Sequence, residues 1–187
     1  MSYQTINEQN TNNVDTLKSE FDLSIGSLNV RGINFDVKRK AVFQWAKIKR
    51  FDILFLQECY CSVDKEDEWE NEWEGKIIYS HGTKHSKGVM MLFSKNFDFQ
   101  ILQQNIDNEG RYIMCKLEVN DEIFWCVNIY APNTMQEKRV FFENIDSLVE
   151  ELDISESDNL IIGGDWNSIQ NSALDKMGGK IIPPTQW

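Results

Sequence analysis

The sequence lacks any apolar run that approaches the ~20 consecutive residues a membrane-spanning helix needs. Its first 20 residues are polar and rich in Asn and Gln, with neither the basic start nor the apolar centre of a secretion signal. We therefore expect residues 1–20 to be a disordered lead-in. We also expect a protein of the nucleus or the cytoplasm that is not secreted and has no membrane partner.

Cysteine is also scarce, and the four in the chain are Cys59, Cys61, Cys115 and Cys126. Their number and irregular spacing do not suit a disulfide scaffold. The last two lie within apolar stretches, which is typical of buried thiols. The first two, with His81 and His85, can be drawn as a zinc site, but their spacing matches no standard zinc motif and we favour free thiols.

Positively charged residues are fewer than negatively charged ones: the chain has 19 Lys and Arg and 30 Asp and Glu, which gives a net charge of −11. This balance argues against a generic nucleic-acid-binding surface, because phosphate contacts normally leave a basic footprint. It does not exclude an enzyme with a divalent cation in an acidic cleft, because the metal then supplies positive charge at the point of contact. Much of the acidity falls in residues 64–74 and 150–158, which we expect to be solvated surface.

Hydrophobic periodicity predicts one domain over residues 21–187 that begins with strand, helix and strand. The strands are expected at residues 22–30 and 52–56, and the second, a continuous apolar run, should be buried on both faces. The helix between them, at residues 36–50, should be capped by Asp36. Its predicted inward stripe consists of Val37, Ala41, Trp45 and Ile48.

The second half of the domain begins with a short surface helix or loop at residues 64–73. Antiparallel strands are then predicted at residues 76–79, 88–93, 97–103, 112–119 and 123–130. A capping box from Thr134 to Glu137 opens a helix to about Leu152, and a last strand covers residues 158–162. This order predicts an α+β fold, a four-layer α/β sandwich with two mostly antiparallel sheets face to face and helices outside.

Polar side chains stand where the predicted strands end, at Asn29, Glu58, Tyr130 and the pair Asp165 and Asn167. Each of these residues alone is a weak indication of a site, because polar turn residues end most strands. Strands that end side by side would collect them at one rim, and carboxylate oxygens suit Mg²⁺, which binds one or two carboxylates together with water and phosphate. The set is typical of metal-assisted phosphodiester hydrolysis.

Six ordered motifs spread over residues 23–179 carry a family resemblance. They are Leu28-Asn29-Val30-Arg31-Gly32, Leu54-Phe55-Leu56-Gln57-Glu58, Gly88-Val89-Met90-Met91-Leu92-Phe93, Gly110-Arg111-Tyr112, Asn128-Ile129-Tyr130-Ala131-Pro132-Asn133 and Gly163-Gly164-Asp165-Trp166-Asn167. With these motifs the chain resembles the endonuclease/exonuclease/phosphatase superfamily, the fold of deoxyribonuclease I-like nucleases. It is most similar to the endonuclease domain of non-LTR (LINE-type) retrotransposons.

The resemblance implies a Mg²⁺-dependent endonuclease, with Mn²⁺ as a substitute, that nicks DNA. It implies that Glu58 ligates the metal with Asn29 beside it, and that Tyr130 contacts the scissile phosphate. It further implies that Asp165 orients or deprotonates the attacking water while Asn167 stabilises the phosphate. Arg111 and His81 resemble substrate-binding positions more weakly; a structural salt bridge for Arg111 and a plain surface loop for His81 remain open.

The chain departs from the family pattern after Asn167. Family members end on a strand with a catalytic Asp-His pair, whereas this sequence offers Asp175 there and no histidine. We therefore expect a domain without its last strands, impaired in activity. It would come from a truncated element copy, a partial gene model, or a longer polyprotein with a downstream reverse transcriptase. The alternatives are an inactive degenerate fragment and a phosphatase for a small phosphate ester or phosphoinositide.

Overall fold

The computed structural model describes residues 22–154 and 158–168. The predictions for residues 1–20 and for Asp175 and the segment that follows it lie outside these ranges. Within them the strands are β1 (Ile25–Asn29), β2 (Ile53–Gln57), β3 (Lys76–Ser80), β4 (Val89–Phe93), β5 (Gln100–Ile106), β6 (Tyr112–Val119), β7 (Glu122–Tyr130) and β8 (Asn159–Asp165). The helices are α1 (Asp36–Lys49), α2 (Glu66–Trp73), preceded by a 3₁₀ turn at Val63–Lys65, and α3 (Met135–Glu151).

These strands form two four-stranded sheets, one in the order β1-β2-β4-β3 and the other in the order β5-β6-β7-β8. The pairs β1–β2 and β7–β8 are parallel, and the other four pairs are antiparallel. The predicted α+β sandwich of two mostly antiparallel sheets is confirmed. The third antiparallel strand, expected at residues 97–103, lies instead at β5, because Phe97 and Phe99 stack towards Phe93 in the core.

Three apolar clusters separate four layers. One lies between the first sheet and helices α1 and α2 and includes Trp69 and Trp73. The second lies between the two sheets, and the third between the second sheet and α3, where Phe141, Ile145 and Leu148 pack as predicted. The capping box is also confirmed, because the Thr134 hydroxyl accepts a hydrogen bond from the backbone N–H of Glu137.

The predicted inward stripe of α1 is wrong. Val37 and Ile48 are 85% and 68% exposed and Trp45 is 36% exposed, whereas Arg39, Phe43 and Ala46 are buried. Arg39 can lie inside because its guanidinium binds carboxylates of Glu72, Glu68 and Asp36 at 2.7–3.0 Å. Asp36 therefore serves Arg39 rather than the helix N-terminus, where Phe35 is the cap residue and makes no side-chain capping bond.

The same ion pairs correct the expectation for the acidic segment at residues 64–74. Its α2 helix buries Trp69 and Trp73 against the first sheet, and Glu72 is only 18% exposed. Glu68 and Glu72 of this segment pair with the buried Arg39 guanidinium and take part in the packing between α1 and α2. The other exposed acids of the segment, Asp64, Asp67, Glu70 and Glu74, face solvent as expected.

All four cysteines are free and buried. No group of three or more His, Cys, Asp and Glu side chains in the described ranges is placed to hold a metal ion. In the same ranges, no helix is long and apolar enough to cross a membrane.

Candidate active site

The carboxyl ends of four strands meet at one edge of the sandwich. Parallel pairing places the ends of β1 and β2 side by side, and likewise the ends of β7 and β8, where Tyr130 pairs with Asp165. Gly163 lets β8 lie close to β2, because a Cβ there would stand 2.7 Å from Cδ2 of Phe55. The two sheets thus bring their polar strand ends to a common rim.

Asn29 is the centre of this rim. Its amide nitrogen donates to Oε1 of Glu58 at 2.8 Å and to Oδ2 of Asp165 at 2.7 Å. Its Oδ1 accepts the backbone N–H of Arg31 at 3.0 Å, which fixes the orientation of the amide group. One side chain from β1 therefore holds together two carboxylates that lie far apart in sequence, and we call Asn29, Glu58 and Asp165 the carboxylate cluster.

The outer oxygen of each carboxylate is held by a second donor. Oε2 of Glu58 accepts the Tyr60 hydroxyl at 3.1 Å, and Oδ1 of Asp165 accepts the backbone N–H of Asn167 at 2.9 Å. Glu58 and Asn167 adopt left-handed backbone conformations, with φ of 53° and 49°. Non-glycine residues persist in this region when surrounding contacts over-determine them, which is common at functional sites.

Tyr130 packs beside the cluster at the end of β7 and is 8% exposed. Burial raises the pKa of Tyr130 above its ordinary value, and the nearby Glu58 raises it further, while Arg111 and Asn167 act in the opposite direction. Burial and the hydrogen bond to Glu58 likewise raise the pKa of Tyr60. Both phenols are therefore neutral hydrogen-bond donors at neutral pH.

Arg111 lies at the edge of the rim, and His81 does not join it. The Arg111 guanidinium stands 4.9 Å from the centre of the Tyr130 ring and donates to the backbone carbonyls of Tyr130 and Ala131. Among the described residues, Arg111 is held by these contacts and forms no salt bridge. His81 Nε2 lies 2.7 Å from Oε1 of Glu66 and its ring stacks on Tyr79, so its visible partners are outside the carboxylate cluster.

Two residues of the rim were missed by sequence reasoning. Lys138 of α3 is buried and its ammonium donates to the backbone carbonyl of Asn167 and to the Ser168 hydroxyl. Tyr60 follows Glu58 by two residues and holds its carboxylate. Neither has a sequence signal, because both contacts depend on how loops and α3 pack around the strand ends.

Residues 26–177 match the Endonuclease/Exonuclease/phosphatase family. The "Transposon TX1 uncharacterized 149 kDa protein" of Xenopus laevis is 32% identical over 145 residues, which cover 78% of this chain and 11% of that protein. The chain thus spans about a tenth of the length of this relative. The family match includes all three residues of the carboxylate cluster.

Solved structures share the fold at low identity. The mannosyl-6-phosphatase of Bacteroides thetaiotaomicron has a TM-score of 0.59 at 16% identity, over 78% of this chain and 66% of that one. TDP2 of D. rerio, complexed with single strand DNA product, has a TM-score of 0.57 at 12% identity, over 79% of this chain and 61% of that one. At such identities the likeness shows the fold. The family match over residues 26–177 shows that the chain belongs to the endonuclease/exonuclease/phosphatase family.

Proposed function

We propose that this chain is a Mg²⁺-dependent phosphodiester hydrolase that nicks DNA, of the type encoded by retrotransposons. The observation that carries the proposal is the Asn29 amide, which holds the carboxylates of Glu58 and Asp165 within 2.8 Å of one nitrogen. The neutral Asn29 amide bridges the two carboxylates but leaves their negative charge at the rim. That charge favours a bound cation.

The donor set fits Mg²⁺. Hard oxygen ligands from one or two carboxylates, completed by water and substrate phosphate, are what this ion takes in phosphoryl-transfer sites. Glu58 would hold the metal, with Asn29 beside it, and Mn²⁺ would substitute. When bound, the ion would supply positive charge to the phosphate and to the developing alkoxide.

The remaining side chains have separable tasks around the phosphate. Asp165 accepts a proton from the attacking water, and its orientation is set by Asn29 and by the Asn167 backbone. Tyr130, neutral at working pH, donates its hydroxyl to a phosphate oxygen. The Asn167 amide donates one N–H to the carbonyl of Ala131 at 2.6 Å, which leaves its second N–H for another phosphate oxygen.

Two relatives support a nucleic-acid substrate. The similar frog protein is named for a transposon, and the D. rerio structure holds a single strand DNA product. We extend both to this chain as a proposal, together with a nuclear or cytoplasmic location and a reverse-transcriptase domain in a longer element. Asp165 and the Asn29–Glu58 pair are intact, which argues against the alternative of a degenerate, inactive copy.

The test is nicking of supercoiled plasmid in a Mg²⁺ titration by the wild type, Glu58→Gln and Asp165→Asn. Each substitution keeps the side-chain shape and removes the charge, and we expect a rate loss of about 10²- to 10⁴-fold. Asp146→Asn, an exposed acid on α3, is the matched control and should nick like the wild type. Circular dichroism of all four proteins separates loss of chemistry from loss of fold.

Substrate class is tested in the same preparation with p-nitrophenyl phosphate. Glu58-dependent hydrolysis of this monoester without any nicking of the plasmid would contradict the proposal and support the phosphatase alternative. A folded wild type that attacks neither substrate would support the inactive copy. Nicking that survives both Glu58→Gln and Asp165→Asn would contradict the site assignment.

A further inference from the structure

A cleft with basic and aromatic walls lies beside the carboxylate cluster. Its volume is about 560 Å³, within the range of small-ligand sites. We call it the basic cleft; its chemistry comes from Arg31, Phe35, Lys38, Tyr60, Lys65 and Lys84. Four cations face the one carboxylate of Asp64 here, although the chain as a whole carries a net charge of −11. The charge balance is therefore reversed locally.

Most of these cations have no carboxylate partner among the described residues. Lys65 pairs with Glu68, whereas Lys38 donates to the backbone carbonyl of Arg31. Among the residues that the structure describes, Arg31, Lys38 and Lys84 have no carboxylate within 4.0 Å. A local cluster of unpaired cations on an acidic protein is the electrostatic footprint expected of phosphate binding.

Aromatic surface lies among the cations. Phe35 is 83% exposed at the entry to α1. The Tyr60 ring lies against Gly32, where a Cβ would stand 2.6 Å from Cδ2 of the ring and where φ is +80°. An exposed ring between cations is what stacking of a nucleic-acid base requires, and an isolated phosphate ester has no use for it.

The basic cleft is continuous with the carboxylate cluster. Tyr60 belongs to the cleft and donates to Glu58, and the backbone N–H of Arg31 donates to Asn29. The other large cavity near the rim, of about 540 Å³, sets Lys87 and Arg111 against the carboxylates of Asp107, Glu109 and Glu137. Only the first of these two cavities has a charge balance that attracts a polyanion.

We propose that the basic cleft binds a nucleotide next to the cleaved bond of a single-stranded or frayed DNA segment. Its phosphates lie against Arg31, Lys38 and Lys84, and its base stacks on Phe35. An unpaired strand fits because a base within a duplex has no free face to offer the ring. This inference rests on the proposed function for the position of the cleaved bond.

Binding of a fluorescein-labelled single-stranded oligonucleotide, measured by anisotropy in chelator, tests the stacking contact without hydrolysis. Phe35→Ala should raise Kd about tenfold, from the usual effect of losing one base–aromatic stack. Phe35→Trp should bind as well as the wild type or better. An oligonucleotide of abasic nucleotides keeps its phosphates, so the same alanine substitution should leave its Kd unchanged.

The charge contact is tested with Lys38→Gln/Lys84→Gln. Loss of two phosphate contacts should lower the slope of log K against log salt by about 1.4, at 0.7 per contact for a single strand. The matched control is Lys49→Gln/Lys76→Gln, two exposed lysines outside the cleft, which should keep the wild-type slope. Circular dichroism and thermal midpoints verify that each variant is folded.

The outcomes separate this inference from the proposed function. Plasmid nicking with wild-type strand binding in Phe35→Ala and in the double lysine variant overturns the cleft and leaves the function. Cleft-dependent strand binding without any hydrolysis supports the cleft and overturns the function. Cleft-dependent binding of phosphoinositide vesicles with no strand binding overturns the nucleic-acid occupant.

Discussion

The buried amides that join the two sheets behind the rim make a stability prediction. Asn128 of β7 is fully buried; its amide nitrogen donates to the backbone carbonyls of Leu56 and Met90 at 3.1 and 2.9 Å. Its Oδ1 accepts Nε2 of Gln57 at 2.8 Å, and Gln57 also donates to Ser27. Asn128→Ala therefore removes three buried hydrogen bonds and leaves their partners in a dry interior.

The magnitude follows from those bonds. Each buried hydrogen bond contributes a net ~0.5–1.5 kcal/mol, so three of them amount to about 3 kcal/mol of unfolding free energy. For a domain of this size that corresponds to a fall in Tm of roughly 6–12 °C. Gln57 directly precedes Glu58, and Asn128 precedes Tyr130 by two residues, so the same pair also fixes the register of the rim.

Urea unfolding followed by tryptophan fluorescence measures the loss. Asn159→Ala is the matched control: its exposed amide donates to the carbonyl of Ile123, and we expect it to cost less than ~1 kcal/mol. A cycle with Gln57→Ala should give a coupling energy of ~1 kcal/mol or more, because the two amides are direct partners. A loss below ~1 kcal/mol for Asn128→Ala, or no coupling with Gln57, would refute this account of the sheet interface.

Three further predictions concern other buried polar groups. Arg39→Met should lower the free energy of unfolding, measured in urea, by about 3 kcal/mol, because it leaves carboxylates of α1 and α2 without their buried counter-ion. The control substitution Lys49→Met, at an exposed position, should lower it little. Lys138→Met should slow plasmid nicking about tenfold or more while the protein stays folded, because the Asn167 carbonyl loses its donor; an unchanged rate would exclude this positioning role. Burial raises the pKa of the Cys61, Cys115 and Cys126 thiols to about 12, so a thiol reagent at pH 8 should label the native protein slowly and the unfolded protein quickly. Since unfolding returns these thiols to pKa values near 9, stability should hold below pH 9 and fall as pH rises towards 12; constant stability there would contradict the burial.

The sequence predicted those elements of the fold that a few neighbouring residues specify. The apolar run of β2 and the Thr134 capping box specify a buried strand and a helix start within a few residues. The predicted inward stripe of α1 was wrong because two different faces of this helix carry residues at helical spacing. The face that packs inward carries Arg39, whose burial depends on Glu68 and Glu72 from a different helix.

The site divides in the same way. Motif order marked Asn29, Glu58 and Asp165, and parallel strand pairing brings them to one rim. Tyr60 and Lys138 escaped notice because a loop and a helix deliver them by tertiary packing. The net charge gave no indication of the basic cleft, because it sums the cations of the cleft with acidic residues elsewhere on the chain.

The central claim is metal-dependent hydrolysis of a DNA phosphodiester by the carboxylate cluster. Its most direct test is incubation of supercoiled plasmid with the purified 187-residue chain in Mg²⁺ or in chelator, followed by treatment of the product with DNA ligase. We predict nicks in Mg²⁺ alone that ligase reseals, because hydrolysis leaves a 3′-hydroxyl beside a 5′-phosphate. An intact plasmid after incubation with folded protein, or nicks that form equally in chelator, would contradict the claim.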